Sequence, residues 1–529
     1  MAKVNHMEEI KAQKPPYQVL EDIYRYAKTG FSSIEPDDLD LFKWYGLYPQ
    51  RPQETGFFML RVKVTAGAYD SETMRVVVGI ANDFGRGVLD ITDRQCFQFH
   101  WLKIEDVPEI FARLEKVGLH SVGACGDTVR NVIACPIEGL DGRQILDTRD
   151  LSQMLSKHFS GNVEFGDLPR KFKISVTACP EQCACHHIND IGYIAHQHID
   201  GRIGFDVWVG GGLGAIPHLA KRLGVFVMPE DVLEVSRAIT AAYRDHGYRV
   251  SRKKARLKFL ISDWGPEKFR DVVEREYLGR KFEDGLEAPR APSNASDHLG
   301  VIPQNNGQFA IGLATTVGRI TTTQALELAR IAEAYGSGEL RNTPRQNVIV
   351  VNVPQEKLEA AIKELEHIGL YANNFFRGST IACTGIEFCR LALTETKAKT
   401  THLVEHLERK FGNVFPHAFS INLTGCSNAC ARYQVADLGF MGANRAGENG
   451  EQEEVYQVHL SGGLDVEARL GEKLKGVIPA AQLEEYSERV ITGFLAHRVG
   501  SESWREYTQR IGSSAFEPAS VLELAHAAD

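Results

Sequence analysis

No run of eighteen apolar residues occurs in the 529-residue chain, so no membrane span is expected. The N-terminal stretch MAKVNHMEEIKAQKPPYQ lacks the apolar centre that a secretory signal needs, which points to a cytoplasmic protein. Positive charge is not in excess: the net charge is −9 and the sequence pI about 6.1, which argues against nucleic acid as the main partner. Neither GxGxxG nor GKS/T is present, and the GGGLG at 210 to 214 reads as a tight structural turn. No C-x2-C pair exists among the ten cysteines, which excludes a zinc ribbon and a bacterial ferredoxin run. A chain of this size without a signal uses its cysteines as metal or redox ligands rather than as a disulfide framework.

What is present is an internal repeat. The composition, 43% apolar and 24% charged, is that of an ordinary globular protein, and the length asks for roughly three or four domains. A segment beginning GFFMLRVKV at Gly56 and another beginning GQFAIGLAT at Gly307 each place an Arg-Gln pair 38 residues on, Arg94-Gln95 and Arg345-Gln346. Each pair is followed by a segment with helical apolar spacing, WLKIEDVPEIFARLEKVGL and VPQEKLEAAIKELEHIGL. NVIACP then matches TIACTG, and VTACPEQCACHHINDIG matches LTGCSNACARYQVADLG. Each copy reads as strand–helix–strand–helix and then a mixed α/β segment. Alone, either copy would leave an exposed sheet edge, so the two are expected to pair into a central domain flanked by two α/β lobes. EDGLEAPRAPSNASDH, rich in Pro, Ser and Asn, reads as the linker between copies.

The copies differ in their ligand-type residues. The second holds Cys383 and Cys389 in C-x5-C and Cys426 and Cys430 in C-x3-C. The first keeps Cys135, Cys179 and Cys183 but has Asp141 where the fourth would fall. Four thiolates in two close pairs are what a cubane iron–sulfur cluster needs, one soft ligand per iron. The first half also concentrates cations: Arg61 in FFMLRVKV, Arg94 with Gln98 in TDRQCFQFH, Arg130 in GDTVRNV, and Arg170, Lys171 and Lys173 in LPRKFK. Alternation puts Lys171 and Lys173 on one face of a strand. The densest basic run is RVSRKKARLKF, residues 249 to 259.

The cysteine pattern, the repeat and these basic motifs together resemble the siroheme-containing sulfite and nitrite reductase family over about residues 50 to 500. The resemblance implies an internally duplicated, pseudo-twofold α+β fold of three domains, its central domain built from two ferredoxin-like half-domains. The expected boundaries are an N-terminal arm at 1–50, half-domains at 51–118 and 301–370, lobes at 119–282 and 371–529, and a linker at 283–300. It implies that Cys383, Cys389, Cys426 and Cys430 hold a 4Fe-4S cluster, with Cys430 also bridging to the siroheme iron. By the same resemblance Arg61, Arg130, Lys171 and Lys173 line the substrate side, and Arg94, Gln98, Arg170, Gln346 and Arg432 contact siroheme. The basic run at 249 to 259 is expected to approach the siroheme carboxylates. Burying a polycarboxylate macrocycle with an oxyanion above it demands such cations.

The activity implied is assimilatory reduction of sulfite to sulfide by six electrons, with nitrite reduction to ammonia as the alternative. Lys173 favours sulfite, since nitrite reductases of plant type carry Asn in the matching place. With no FAD or NADPH motif, electrons are expected from ferredoxin or a separate flavoprotein subunit. A non-catalytic electron carrier would have no use for the cation set, and an enzyme of cobalamin synthesis fits the LPRKFK motif less well. The group Cys179, Cys183, Cys185, His186 and His187 is expected to be a decayed cluster loop with buried thiols rather than a second metal site, and Cys96 and Cys125, which have no partner pattern, are expected to be packed thiols. Some family members carry a Tyr–Cys crosslink; Tyr69 matches the Tyr, but Thr128 stands in place of the Cys, so none is expected.

Overall fold

The computed structural model describes residues 5–291, 297–373, 376–412, 419–447 and 450–519. The chain forms two compact units, the first made of Met1–Gly212, His218–Leu313 and Arg319–Ala372, the second of Leu213–Pro217, Ala314–Gly318 and Asn373–Asp529.

The first unit contains both half-domain sheets, and they exchange a strand. One sheet runs Leu47–Pro49, Phe58–Val62, Phe97–Leu102, Val88–Ile91, Arg319–Thr321. The other runs Gly300–Pro303, Phe309–Leu313, Val348–Val353, Glu339–Asn342, Ala68–Asp70. Arg319–Thr321 comes from the second copy and Ala68–Asp70 from the first, so each copy covers an edge that the other would leave bare. Each exchanged strand leads directly into a helix, Ser71–Phe84 or Thr322–Tyr335, capped by the strand's last residue. Asp70 accepts from the Thr73 amide at 2.8 Å and Thr321 from the Gln324 amide at 3.1 Å. The inner faces of both sheets and helices share one apolar core that includes Leu60, Val78, Phe97, Leu328 and Val350.

The repeat extends to backbone strain. Left-handed residues recur in both copies: Ala66 and Val317, Gln95 and Gln346, Trp101 and Asn352, Gln182 and Ala429, Cys185 and Arg432. Such conformations cost a non-glycine residue free energy and persist only where the surroundings impose them. The Arg-Gln pairs show the reason. The Gln95 amide donates to Ala66 O and Asn342 O at 2.8 and 2.9 Å, and Gln346 donates to Ile91 O at 3.2 Å, tying the two copies together.

The segment read as an arm is folded. Helices His6–Gln13 and Val19–Thr29 bury Met7, Ile10, Val19, Ile23 and Tyr26 in the core of the first unit.

The two lobes repeat one sheet plan. In the first unit, Ile133–Ala134, Ile174–Thr177 and Ile191–Gln197 are parallel neighbours, and Ile203–Val209 and Lys221–Val227 follow antiparallel. In the second unit, Ile381–Ala382, Ile421–Thr424 and Leu438–Ala446 are parallel, and Gln452–Leu460 and Glu472–Pro479 antiparallel. Of the segment read as a linker, Glu283–Asp284 pairs with the first lobe's sheet, and Asp297 and His298 are buried. Residues 292–296 of that linker lie outside the described residues. Among the described residues no helix is long and apolar enough to cross a membrane.

Candidate functional site

The second unit sets its cysteines by sheet geometry. Cys383 directly follows the strand Ile381–Ala382, and Cys426 comes two residues after the neighbouring parallel strand Ile421–Thr424. Ligand sites in such sheets form beyond the carboxyl ends of the strands. The Cys383 amide donates to Leu423 O at 3.2 Å, and its sulfur accepts from the Gly425 amide at 3.2 Å. Cys389 lies on the turn closed by its amide to Gly385 O at 2.9 Å. Left-handed Ala429 and Arg432 bracket Cys430, which is the one exposed thiol of the ten. Cys383 and Cys389 respond to the neighbouring thiols. Burial, then Cys430, and more weakly Cys389, push the Cys383 thiol up to about 12. Burial, Cys430 and Cys426 raise Cys389 as well. Four such groups become thiolates together only where a cationic centre offsets their repulsion, so the donor set fits a bound iron cluster.

In the first unit the predicted cations gather. Lys173 and Lys171 flank Phe172, which is buried and bridges to Val129. The Lys173 ammonium is held well below its usual range by burial first, then by Arg94, Lys171 and Arg256, with Asp93 opposing. Lys63, buried and donating to Ser160 Oγ at 2.7 Å, is lowered to about 8 by burial, with Arg130 and Arg94 adding to the effect against Cys96. Arg130 is buried; it donates to Ala124 O and Gly126 O at 3.2 and 2.7 Å, while its Nε has no hydrogen-bond partner. Arg61 donates to Cys125 Sγ at 3.1 Å and to Gln98 Oε1 at 3.0 Å. A cluster this rich in cations fits an anionic ligand.

Other predicted residues are engaged within the protein. Gln98 connects Arg61 to His100, which meets Asp90 at 3.1 Å, so it positions the Arg61 guanidinium. Arg94 donates to Asn189 Oδ1 at 3.0 Å and Asn131 O at 2.5 Å. Arg170 donates to the buried Asp127 at 3.1 Å. Gln346 donates to Ile91 O, and Arg432 is buried on the turn after Cys430. Within the basic run, three arginines pair with carboxylates of the protein. Arg249 meets Glu8 and Asp167, Arg252 is bidentate on Asp127 at 2.6 and 2.9 Å, and Arg256 meets Asp190 at 2.6 Å.

Some neighbours had no signal in the sequence. Tyr69 donates to Asn342 Oδ1 and Thr128 faces Tyr17, whereas the tyrosine that meets a thiol is Tyr48, beside Cys125. His186 and His187 stack on each other against Trp208, and Cys185 donates to Cys183 O at 3.1 Å. Cys135, Cys179 and Cys183 converge with His298, which no motif marked.

Residues 125–282 and 377–524 match the family described as nitrite and sulphite reductase 4Fe-4S domain. Residues 50–117 and 302–368 match the nitrite/sulfite reductase ferredoxin-like half domain. A protein of Mycobacterium tuberculosis (strain ATCC 25618 / H37Rv) named "Sulfite reductase (ferredoxin)" is 39% identical over 96% of this chain and 95% of its own length. The "Assimilatory ferredoxin-dependent nitrite reductase" of Haloferax mediterranei is 38% identical over 94% of this chain and 90% of its own. The solved structure of the Mycobacterium tuberculosis NirA protein superposes with a TM-score of 0.93 at 38% identity, covering 97% of this chain and 98% of that one. With both domain types matched in duplicate and full-length relatives at 38–39% identity, the chain belongs to the nitrite and sulphite reductase family with 4Fe-4S domains.

Proposed function

We propose that the protein is an assimilatory sulfite reductase that takes electrons from ferredoxin and reduces sulfite to sulfide on siroheme coupled to a 4Fe-4S cluster. The observation that carries this reading is the four-thiol set at the ends of adjacent parallel strands, with Cys430 alone exposed. An exposed sulfur among three more covered ones fits a ligand shared with a second metal centre, here the siroheme iron. Cys383, Cys389, Cys426 and Cys430 would hold the cluster. Arg94, Gln98, Arg170, Gln346 and Arg432 are the siroheme residues carried over from the family, and of these Gln98 and Gln346 act at least in part by positioning neighbours. When bound, the coupled cofactors supply electrons one at a time to an oxyanion.

The chain's own contribution is charge and protons. Arg61, Arg130, Lys171 and Lys173 bind the anion. Burial first, then Arg94, Lys171 and Arg256, disfavour the charged form of Lys173, and an anion reverses that balance, so the Nζ of Lys173 takes up a proton as substrate binds. That proton is then placed for an oxygen leaving as water. Sulfite is favoured over nitrite because two lysines suit the more highly charged anion. The relatives bear both names at similar identity, sulfite reductase at 39% and nitrite reductase at 38%.

The test is steady-state turnover of the siroheme- and iron-replete protein with reduced methyl viologen, sulfite against nitrite. A higher kcat/KM for sulfite is expected. Preference for nitrite overturns the substrate assignment, and no reduction of either anion overturns the reductase reading.

A further inference from the structure

We propose that Cys135, Cys179, Cys183 and His298 bind one zinc ion, separate from the cluster of the second copy. One ligand atom from each lies within 4.8 Å of every other. Cys179 Sγ is 3.7 Å from Cys135 Sγ, and Cys135 Sγ is 3.4 Å from His298 Nε2. These are the edges of a zinc tetrahedron. With Zn–S of about 2.3 Å and Zn–N of about 2.0–2.1 Å, tetrahedral angles put sulfur about 3.8 Å from sulfur and about 3.6 Å from nitrogen. A four-iron cube holds its thiolates farther apart, because each sulfur caps a different iron.

The site is closed in the manner of a structural metal. Cys135, Cys179 and His298 are 3%, 5% and 2% exposed and Cys183 is half-buried, and with four protein ligands no position is left for substrate. Cys135 follows the strand Ile133–Ala134 and Cys179 comes just after the adjacent parallel strand Ile174–Thr177, the same places that Cys383 and Cys426 take in the second copy. Asp141, at the repeat position of Cys389, is held by Arg143 at 3.0 and 3.1 Å and is not part of the group. His298 supplies the fourth ligand from the segment just before the strand Gly300–Pro303. Its approach is built in: a Cβ on Gly312 would stand 1.6 Å from His298 O, so only glycine lets that backbone come so near. Gln182, between two of the thiols, donates to Pro289 O at 2.6 Å and ties the cysteine loop to the segment leading toward His298. The ion would therefore staple the first lobe to the second half-domain sheet, within the first unit.

The experiment is metal analysis of the full-length holoenzyme after dialysis against EDTA, with absorption spectroscopy at the zinc edge. One zinc per chain in a shell of three sulfurs and one nitrogen is expected. H298A and C183S should lose the zinc while cluster iron stays unchanged. H298C, which restores a four-thiolate shell, should keep it, as should C185S. Wild-type protein without zinc, iron in place of zinc, or a Cys135–Cys179 disulfide in peptides alkylated before digestion would each overturn the proposal and leave the reductase reading untouched.

Discussion

Asp127 holds together the basic side of the first unit, and replacing it isolates one energetic contribution. The carboxylate is fully buried. It accepts from Arg252 at 2.6 and 2.9 Å and from Arg170 at 3.1 Å, with Lys11 Nζ at 3.7 Å. Burial alone would raise its pKa, but Arg252 first, then Arg170 and Lys11, outweigh burial and bring it from 3.8 to about 2. A folded pKa below the unfolded one means stability that is fully present above pH 3.8 and is lost as pH falls toward 2. Nearly two units at about 1.4 kcal/mol each make this about 2.5 kcal/mol. Asp127→Asn keeps the shape, removes the charge and turns an amide NH2 toward guanidinium donors. Its cost should therefore start at about 2.5 kcal/mol and reach the ~3–5 kcal/mol typical of a broken buried ion pair. Urea unfolding at pH 7 should show a midpoint lower by about 1 M, for an m-value of ~3 kcal/mol/M. The variant should also lose less stability than wild type between pH 4 and pH 2. An unchanged midpoint, or an acid profile parallel to wild type, would refute the assignment of Asp127 as the anchor.

Four further outcomes are expected. Gly439→Ala places a Cβ 1.9 Å from Tyr433 O and should cost more than about 3 kcal/mol, seen as loss of soluble protein; normal yield and melting would contradict the close approach. Cys430→Ser should lose the spectroscopic coupling between cluster and siroheme and sulfite turnover with it, and full turnover would remove Cys430 from the ligand set. Lys173→Asn should shift the ratio of kcat/KM for sulfite over nitrite downward by roughly tenfold, about 1.4 kcal/mol, and an unchanged ratio would refute its part in substrate choice. Glu333→Gln should change stability by less than about 0.5 kcal/mol, because Glu333 and its partner Arg75 are each 46% exposed and water already screens the pair.

Much of this architecture was legible in the sequence, for reasons visible in the structure. The Arg-Gln pairs mark both copies because Gln95 and Gln346 occupy left-handed turns whose amides bind the opposite copy, a role that few side chains can fill. The spacing of the four cysteines proposed for the cluster is set locally, by two strand ends and the turns beyond them, which is why it stands out in the sequence. The strand exchange was not legible, since a three-residue strand such as Arg319–Thr321 carries no pattern that names its partner. The carboxylate partners in the basic run were hidden for a related reason: the sequence shows the charge of Arg252 and Arg256, but Asp127 and Asp190 reach them only through the fold. His298 was invisible in the same way, as one histidine in a segment whose composition read as linker.

The duplication also bears on how one pocket plan could serve two metals. In both copies the sheet order puts two cysteines at neighbouring strand ends, and a loop bearing a left-handed residue sets the third. What differs is the fourth ligand. Cys389 belongs to the second copy's own turn, and the only thiol left exposed there is Cys430, which leaves the set open toward a bound partner. In the first copy the equivalent position, Asp141, is taken by Arg143, and a histidine from outside the repeat comes in close, drawing the ligand atoms to the spacing of a single ion. An open set of thiolates suits electron delivery, and a closed one suits structural support. On this reasoning, removing zinc should loosen the first unit without altering the cluster's redox behaviour, because the two ligand sets share no residue.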